Sequence, residues 1–132
     1  MAEDQAAYEA LAAIRKLPPD APDRTAKFNA ALLVCIRVPQ AIAATSVSML
    51  ELCDRIINFV NYHLLSDLAV CSDLSMASAR CALYSVRANL PDVTEASDRQ
   101  RIESTITQLL SRAAGLIQQV SPRIWARHGQ GT

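Results

Sequence analysis

Glycine is almost missing from this chain. Gly115 is the only one before Gly129 and Gly131, and the six prolines stand at Pro18, Pro19, Pro22, Pro39, Pro91 and Pro122. With few residues suited to left-handed turns or bulges, the stretches between prolines have little to do but coil into helices. Their apolar spacing agrees. Tyr8, Leu11, Ala12 and Ile14 share one face of a helix expected over 3–17, and residues 18–23 form a rigid linker. A second helix begins near Arg24, capped by Asp23, with Phe28, Ala31, Leu32 and Cys35 at helical spacing until Pro39 kinks or breaks it. A third spans 39–60, a fourth 67–90 and a last one 95–120, ended by Pro122. The expected fold is all-α: an antiparallel bundle of about five helices over 1–121, with a polar tail over 122–132.

The third and fourth helices carry apolar or small side chains around most of their circumference, among them Ala41, Ala43, Ala44, Ser72, Ser75, Ala77, Ser78 and Ala79. Such helices need neighbours on several sides, and three other helices scarcely supply them. Dimerisation through these small-residue-rich helices is therefore expected.

Thirteen basic side chains balance thirteen acidic ones, which removes the electrostatic case for nucleic acid or an anionic membrane surface. Arg37, Glu51, Asp54, Arg55 and Asp67 interrupt the apolar runs, so no membrane span is expected. The acidic start, Met1 to Asp4, is unlike a targeting segment, and a cytoplasmic setting follows as the expectation. Cys35, Cys53, Cys71 and Cys81 lack any Cys-x-x-Cys spacing and have only His63 and His128 for company; they read as reduced core thiols rather than a metal set.

Between the third and fourth helices lies Asn61-Tyr62-His63-Leu64-Leu65-Ser66-Asp67-Leu68. Ser66 is placed as an N-cap, Asp67 sets a negative charge at the positive helix end, and Asn61 suits the left-handed residue that often closes a helix. The same residues are polar enough for a ligand site. His63 titrates near neutrality and can serve as acid or base, although a solvent-facing loop histidine is the plainer reading.

The order Val38-Pro39, Leu50-Glu51-Leu52, Asn61 with Ser66-Asp67-Leu68-Ala69-Val70, and Val86-Arg87-Ala88-Asn89-Leu90 resembles the formiminotetrahydrofolate cyclodeaminase / methenyltetrahydrofolate cyclohydrolase family. Asp4, Tyr8 and Leu17-Pro18 resemble that family's acidic helix, aromatic residue and Leu-Pro turn. The resemblance implies an all-α fold with folate chemistry at a subunit interface. It implies one of two reactions: closure of a formimino group with loss of ammonia, or hydrolysis of the methenyl compound. Asp4 and Asp67 are the implied catalytic carboxylates; Asn61, His63, Ser66, Arg87 and Asn89 are the implied substrate-binding residues. No metal and no cofactor are implied beyond a tetrahydrofolate derivative as substrate. Arg37, Arg80 and Arg87 offer guanidinium groups for the glutamate tail of a folate-like substrate, or else form ion pairs with neighbours such as Glu51 and Asp54. The family's Gly-rich N-terminal segment has no counterpart here, Val60 stands where the family commonly has glycine, and Ser85 stands in place of asparagine. The expected assembly is a homodimer, or a hetero-oligomer with a chain that supplies the segment. The alternatives are a non-catalytic helical interaction module, or an imine-cyclising enzyme for a non-folate metabolite.

Overall fold

The computed structural model describes residues 2–129, with side chains from Gln5 onward. Four α-helices are observed: α1 (Ala2–Arg15), α2 (Arg24–Ile56), α3 (Leu65–Asn89) and α4 (Ala96–Gly129). Short 3-10 turns, Tyr62–Leu64 and Leu90–Asp92, lie on either side of α3. Four helices rather than about five is a correction, and its cause is Pro39. The proline sits inside α2 without ending it. A proline in a helix interior removes one hydrogen bond and crowds the preceding turn, at a cost of about 3 kcal/mol. Here Leu32, Ile36, Ala43 and Val47 are buried on both sides of it, and burial of about 1.5–3 kcal/mol for each large apolar side chain outweighs that cost.

Neighbouring helices alternate in direction. Going along α2 from Ser46 to Cys53, the α3 partners run backward from Ser78 to Cys71, which is antiparallel register. Against α4 the order is the same on both helices, Glu51 with Arg112 and Asp54 with Arg123, so α2 and α4 run parallel. The core forms three layers along the bundle. At one end Ala7 and Leu11 of α1 pack with Leu32, Ile36, Val86, Leu90 and Ile102. Val47, Leu50, Met76, Ala79 and Leu116 fill the middle. Cys53, Ile57, Leu68, Val120 and Ile124 fill the far end, where only α2, α3 and α4 meet.

The C-terminal residues also depart from expectation. Residues 122–129 are not a polar tail: α4 continues through Pro122 to Gly129 and buries Ile124. The Arg127 guanidinium donates hydrogen bonds to the carbonyls of Ile57 and Val60, and Arg123 pairs with Asp54 and donates to Asn58. Arg127 thus satisfies carbonyls just past the end of α2, while Arg123 ties side chains of its last turn and of the residues that follow to α4.

By length and composition α2 is apolar enough to cross a membrane, contrary to the expectation drawn from its charged interruptions. Its packing against α1, α3 and α4 accounts for part of that apolarity: 39% of the apolar window is buried, and Val34, Ile42, Met49 and Leu52 remain exposed. Asp23 does precede α2, but with a left-handed backbone (φ 56°) and no side-chain cap; aspartate is among the few residues that accept this conformation.

Candidate functional site

The junction before α3 is built differently from its sequence expectation. Asn61 is extended (φ −59°, ψ 141°) rather than left-handed, and its Oδ1 accepts a hydrogen bond from the His63 backbone N–H at 3.0 Å. It therefore caps the short turn over Tyr62–Leu64 instead of closing α2. The N-cap of α3 is Leu64 and makes no side-chain cap bond, so Ser66 lies inside the first turn and is not the cap. Asp67 is in that first turn as expected, where the helix dipole favours its charge. His63 is exposed, its ring edge-on to Tyr62 at 5.8 Å, and Tyr62 in turn meets His128 of α4 at 5.7 Å.

Asp67 opens onto a cleft of about 570 Å³ between α2 and α3, walled by Thr45, Ser46, Met49, Val70, Cys71, Leu74, Ser75 and Ser78. One helical face carries Asp67, Cys71, Leu74, Ser75 and Ser78, because positions three and four apart stack along a helix. That spacing was available in the sequence and would have found the wall. Ser46 Oγ donates to the Ile42 carbonyl at 2.9 Å and accepts from the Ser78 hydroxyl at 3.0 Å, which fixes the two helices against each other.

Asn89 lies elsewhere. It shares a second cleft, of about 600 Å³, with Gln5 and Tyr8 of α1, Cys35 and Pro39 of α2, and Ser85 and Ala88 of α3. Its Nδ2 donates back to the Ser85 carbonyl at 3.0 Å. At 1.5 Å of rise per residue, Asp67 and Asn89 stand about 33 Å apart along α3, so one chain does not bring them together. Arg87 faces a third groove, toward α4, with Arg80, Tyr84, Leu83 and Leu110. The ion-pair partners suggested for the arginines are taken by others: Glu51 by Arg112 and Asp54 by Arg123. The side chain of Asp4, expected as catalytic, lies outside the described residues; its backbone is one helical turn before Tyr8 in α1. Among the described residues no three His, Cys, Asp or Glu side chains gather as a metal set.

The model for the family described as Formiminotransferase-cyclodeaminase matches residues 1–108. The chain belongs to this family. A pig relative named formimidoyltransferase-cyclodeaminase is 30% identical over 128 residues, covering 91% of this chain and 24% of its own length. The crystal structure of formiminotetrahydrofolate cyclodeaminase from Thermotoga maritima superposes with a TM-score of 0.84 at 18% identity, covering 94% of this chain and 60% of that one. The chain thus spans about a quarter of the pig relative and three-fifths of the bacterial one, and the fold is shared with the latter. Both clefts fall within the family's matched region, since their lining residues run from Gln5 to Asn89.

Cys53 does not line the first cleft but touches Cys71, which does, at 3.8 Å between sulfurs. Burial, with the hydrogen bond to Cys71 adding to it, pushes its thiol from 9.0 up to about 11. The folded chain thus favours the protonated thiol more than the unfolded chain does. That contribution is complete below about pH 9 and is lost as the pH climbs through 11. Urea midpoints are expected to fall across this window, and to fall less in Cys53→Ala; equal slopes for the two proteins would rule the thiol out as the cause.

Proposed function

We propose that this chain is a cyclodeaminase-type unit of one-carbon metabolism acting on a folate-like imine. What carries the reading is family membership combined with an acidic cleft that suits a flat, partly polar ring. Met49, Val70 and Leu74 provide apolar walls for the ring faces, and hydroxyls of Thr45, Ser75 and Ser78 lie along its edges. In ring closure, a substrate nitrogen attacks the formimino carbon, the bond from that carbon to the terminal nitrogen breaks, and ammonia leaves after taking up a proton. Asp67 at the cleft mouth is the carboxylate proposed to relay that proton. No cofactor is proposed beyond the folate-like substrate, and the proposed setting is cytoplasmic.

The assembly proposed is a twofold dimer. Val34, Ile42, Met49, Leu52 and Ile56 fall on one stripe of α2, Val70 and Leu74 on the adjoining side of α3, and all are at least 36% exposed. Such a face on one side of a small bundle is what a partner chain covers. Ala77 and Ser78 sit midway between Asp67 and Asn89, so two α3 helices crossing antiparallel at these small side chains set Asp67 beside the partner subunit's Asn89. The two halves of the expected site then meet across the interface.

The test is turnover of formiminotetrahydrofolate or methenyltetrahydrofolate followed by absorbance. Asp67→Asn is expected to lower the rate by about 10²–10⁴-fold with an unchanged helical circular dichroism signal. Wild-type protein that neither binds tetrahydrofolates nor turns them over would leave the second reading, a helical interaction module, which the exposed α2–α3 face favours.

A further inference from the structure

Cys53 of α2 and Cys71 of α3 place their sulfurs 3.8 Å apart. Both are thiols in this structure. Their surroundings differ in a way that matters chemically. Cys53 is 2% exposed and packed with Ile57, Leu68, Val120 and Ile124, whereas Cys71 is half-buried and lines the Asp67 cleft. A disulfide bond is about 2.05 Å long, so the sulfurs, already in contact, need to approach by about 1.8 Å. The same two helices are also joined two turns away by the Ser46–Ser78 hydrogen bond.

We propose that Cys53 and Cys71 are a redox-active dithiol, which a hydroperoxide entering the Asp67 cleft oxidises to an intramolecular disulfide joining α2 to α3. The Cys71 thiolate attacks the outer peroxide oxygen. A sulfur–oxygen bond forms, the oxygen–oxygen bond breaks, and the leaving alkoxide or hydroxide takes up a proton, leaving Cys71 as a sulfenic acid. The Cys53 sulfur then attacks the Cys71 sulfur. The sulfur–oxygen bond breaks, and the departing hydroxide takes the Cys53 proton to become water. Two electrons pass from the two sulfurs to one peroxide. The order of events follows from access, since the oxidant reaches Cys71 through the cleft and Cys53 only through Cys71. Burial holds the Cys53 proton on, so Cys53 is the poorer first nucleophile, and in the second step its proton must pass to the departing hydroxide as the sulfur–sulfur bond forms. Oxidation draws the Cys71 sulfur out of the cleft wall toward the core and ties the helices that form the cleft. Folate chemistry is not needed for any of these steps.

The experiment uses the full chain, treated with stoichiometric hydrogen peroxide and then denatured and alkylated with a maleimide. Reduced protein takes up a label on each of its four cysteines. Oxidised protein is expected to take up two labels fewer, to regain both with dithiothreitol, and to yield a digest peptide pair joining Cys53 to Cys71. Cys81→Ser, which changes an exposed thiol, is expected to behave as wild type. In Cys53→Ala, Cys71 is expected to accumulate as a sulfenic acid that a cyclic 1,3-dione traps. Full labelling after peroxide, a crosslink through Cys81 or between chains, or a sulfenic acid that persists in the wild type would each overturn the proposal. Should Cys53→Ala fail to fold, the wild-type peptide map decides by itself.

Discussion

Truncation after Ser121 is expected to lower the thermal midpoint by more than about 10 °C. The last turns of α4 read from sequence as a polar tail, yet they close one end of the bundle. Ile124 is 2% exposed within the layer formed by Cys53, Ile57, Leu68 and Val120, and burying such a side chain is worth about 1.5–3 kcal/mol. Arg127 donates to the Ile57 and Val60 carbonyls, and hydrogen bonds from a charged group contribute about 1.5–3 kcal/mol. Removing both leaves an exposed layer and unmet carbonyls at the end of α2, a loss of about 4 kcal/mol. For a domain of this size that corresponds to roughly 3–4 °C per kcal/mol. Ile124→Ala and Arg127→Ala separate the two contributions, and each is expected to lower the midpoint by itself. A truncated chain that melts like the full one would refute this account of the far layer.

If the proposed twofold dimer forms, Leu74→Asp is expected to convert it to monomers without unfolding either chain. Leu74 is 65% exposed in the single chain, so replacing it costs the isolated fold little, about 0.5 kcal/mol or less. At the centre of a twofold interface the same change sets two carboxylates against apolar neighbours, where each unpaired charge costs several kcal/mol. Light scattering reads the mass, and circular dichroism reads the fold. The assembly carries a sharper expectation for the site. Asp67→Asn and Asn89→Ala homodimers are each expected to be impaired, while a refolded mixture of the two regains turnover, because one of its two composite sites is intact. A mixture no more active than its parents places Asp67 and Asn89 in separate sites.

The helices were legible and several of their ends were not. Scarcity of glycine and helical apolar spacing located all four, including α1 and the linker after it. Pro39 and Pro122 misled for one physical reason: the local cost of a proline is fixed, but the burial on either side of it is decided by tertiary packing. Val47 and Ile36 hold α2 across Pro39, and Ile124 holds α4 across Pro122. Ser66 was assigned as a cap because its chemistry suits one; whether it caps depends on backbone angles that the preceding 3-10 turn sets. For the site, Asp67 was found and its cleft was not. Family motifs mark polar residues, whereas the cleft is walled by Met49, Val70, Cys71 and Leu74, which carry no motif. Asn89 and Arg87 were grouped with Asp67 because motif order says nothing of the 33 Å of helix between them or of the face each presents.

α1 spans only one end of the bundle. It is held there by Ala7 and Leu11 in the core, by the Arg15–Asp92 ion pair and by Arg15 over the Phe28 ring at 5.9 Å. It is also the shortest helix, joined to the rest by the linker over 16–23. Local opening free energies follow buried contact, so α1 is the first element to swing away while α2, α3 and α4 stay folded. The cleft around Asn89 has Gln5 and Tyr8 as one wall. The shape of that cleft is thus expected to follow one short helix rather than the stability of the whole bundle, and a ligand placed there is expected to slow amide exchange in α1 before it slows it anywhere else.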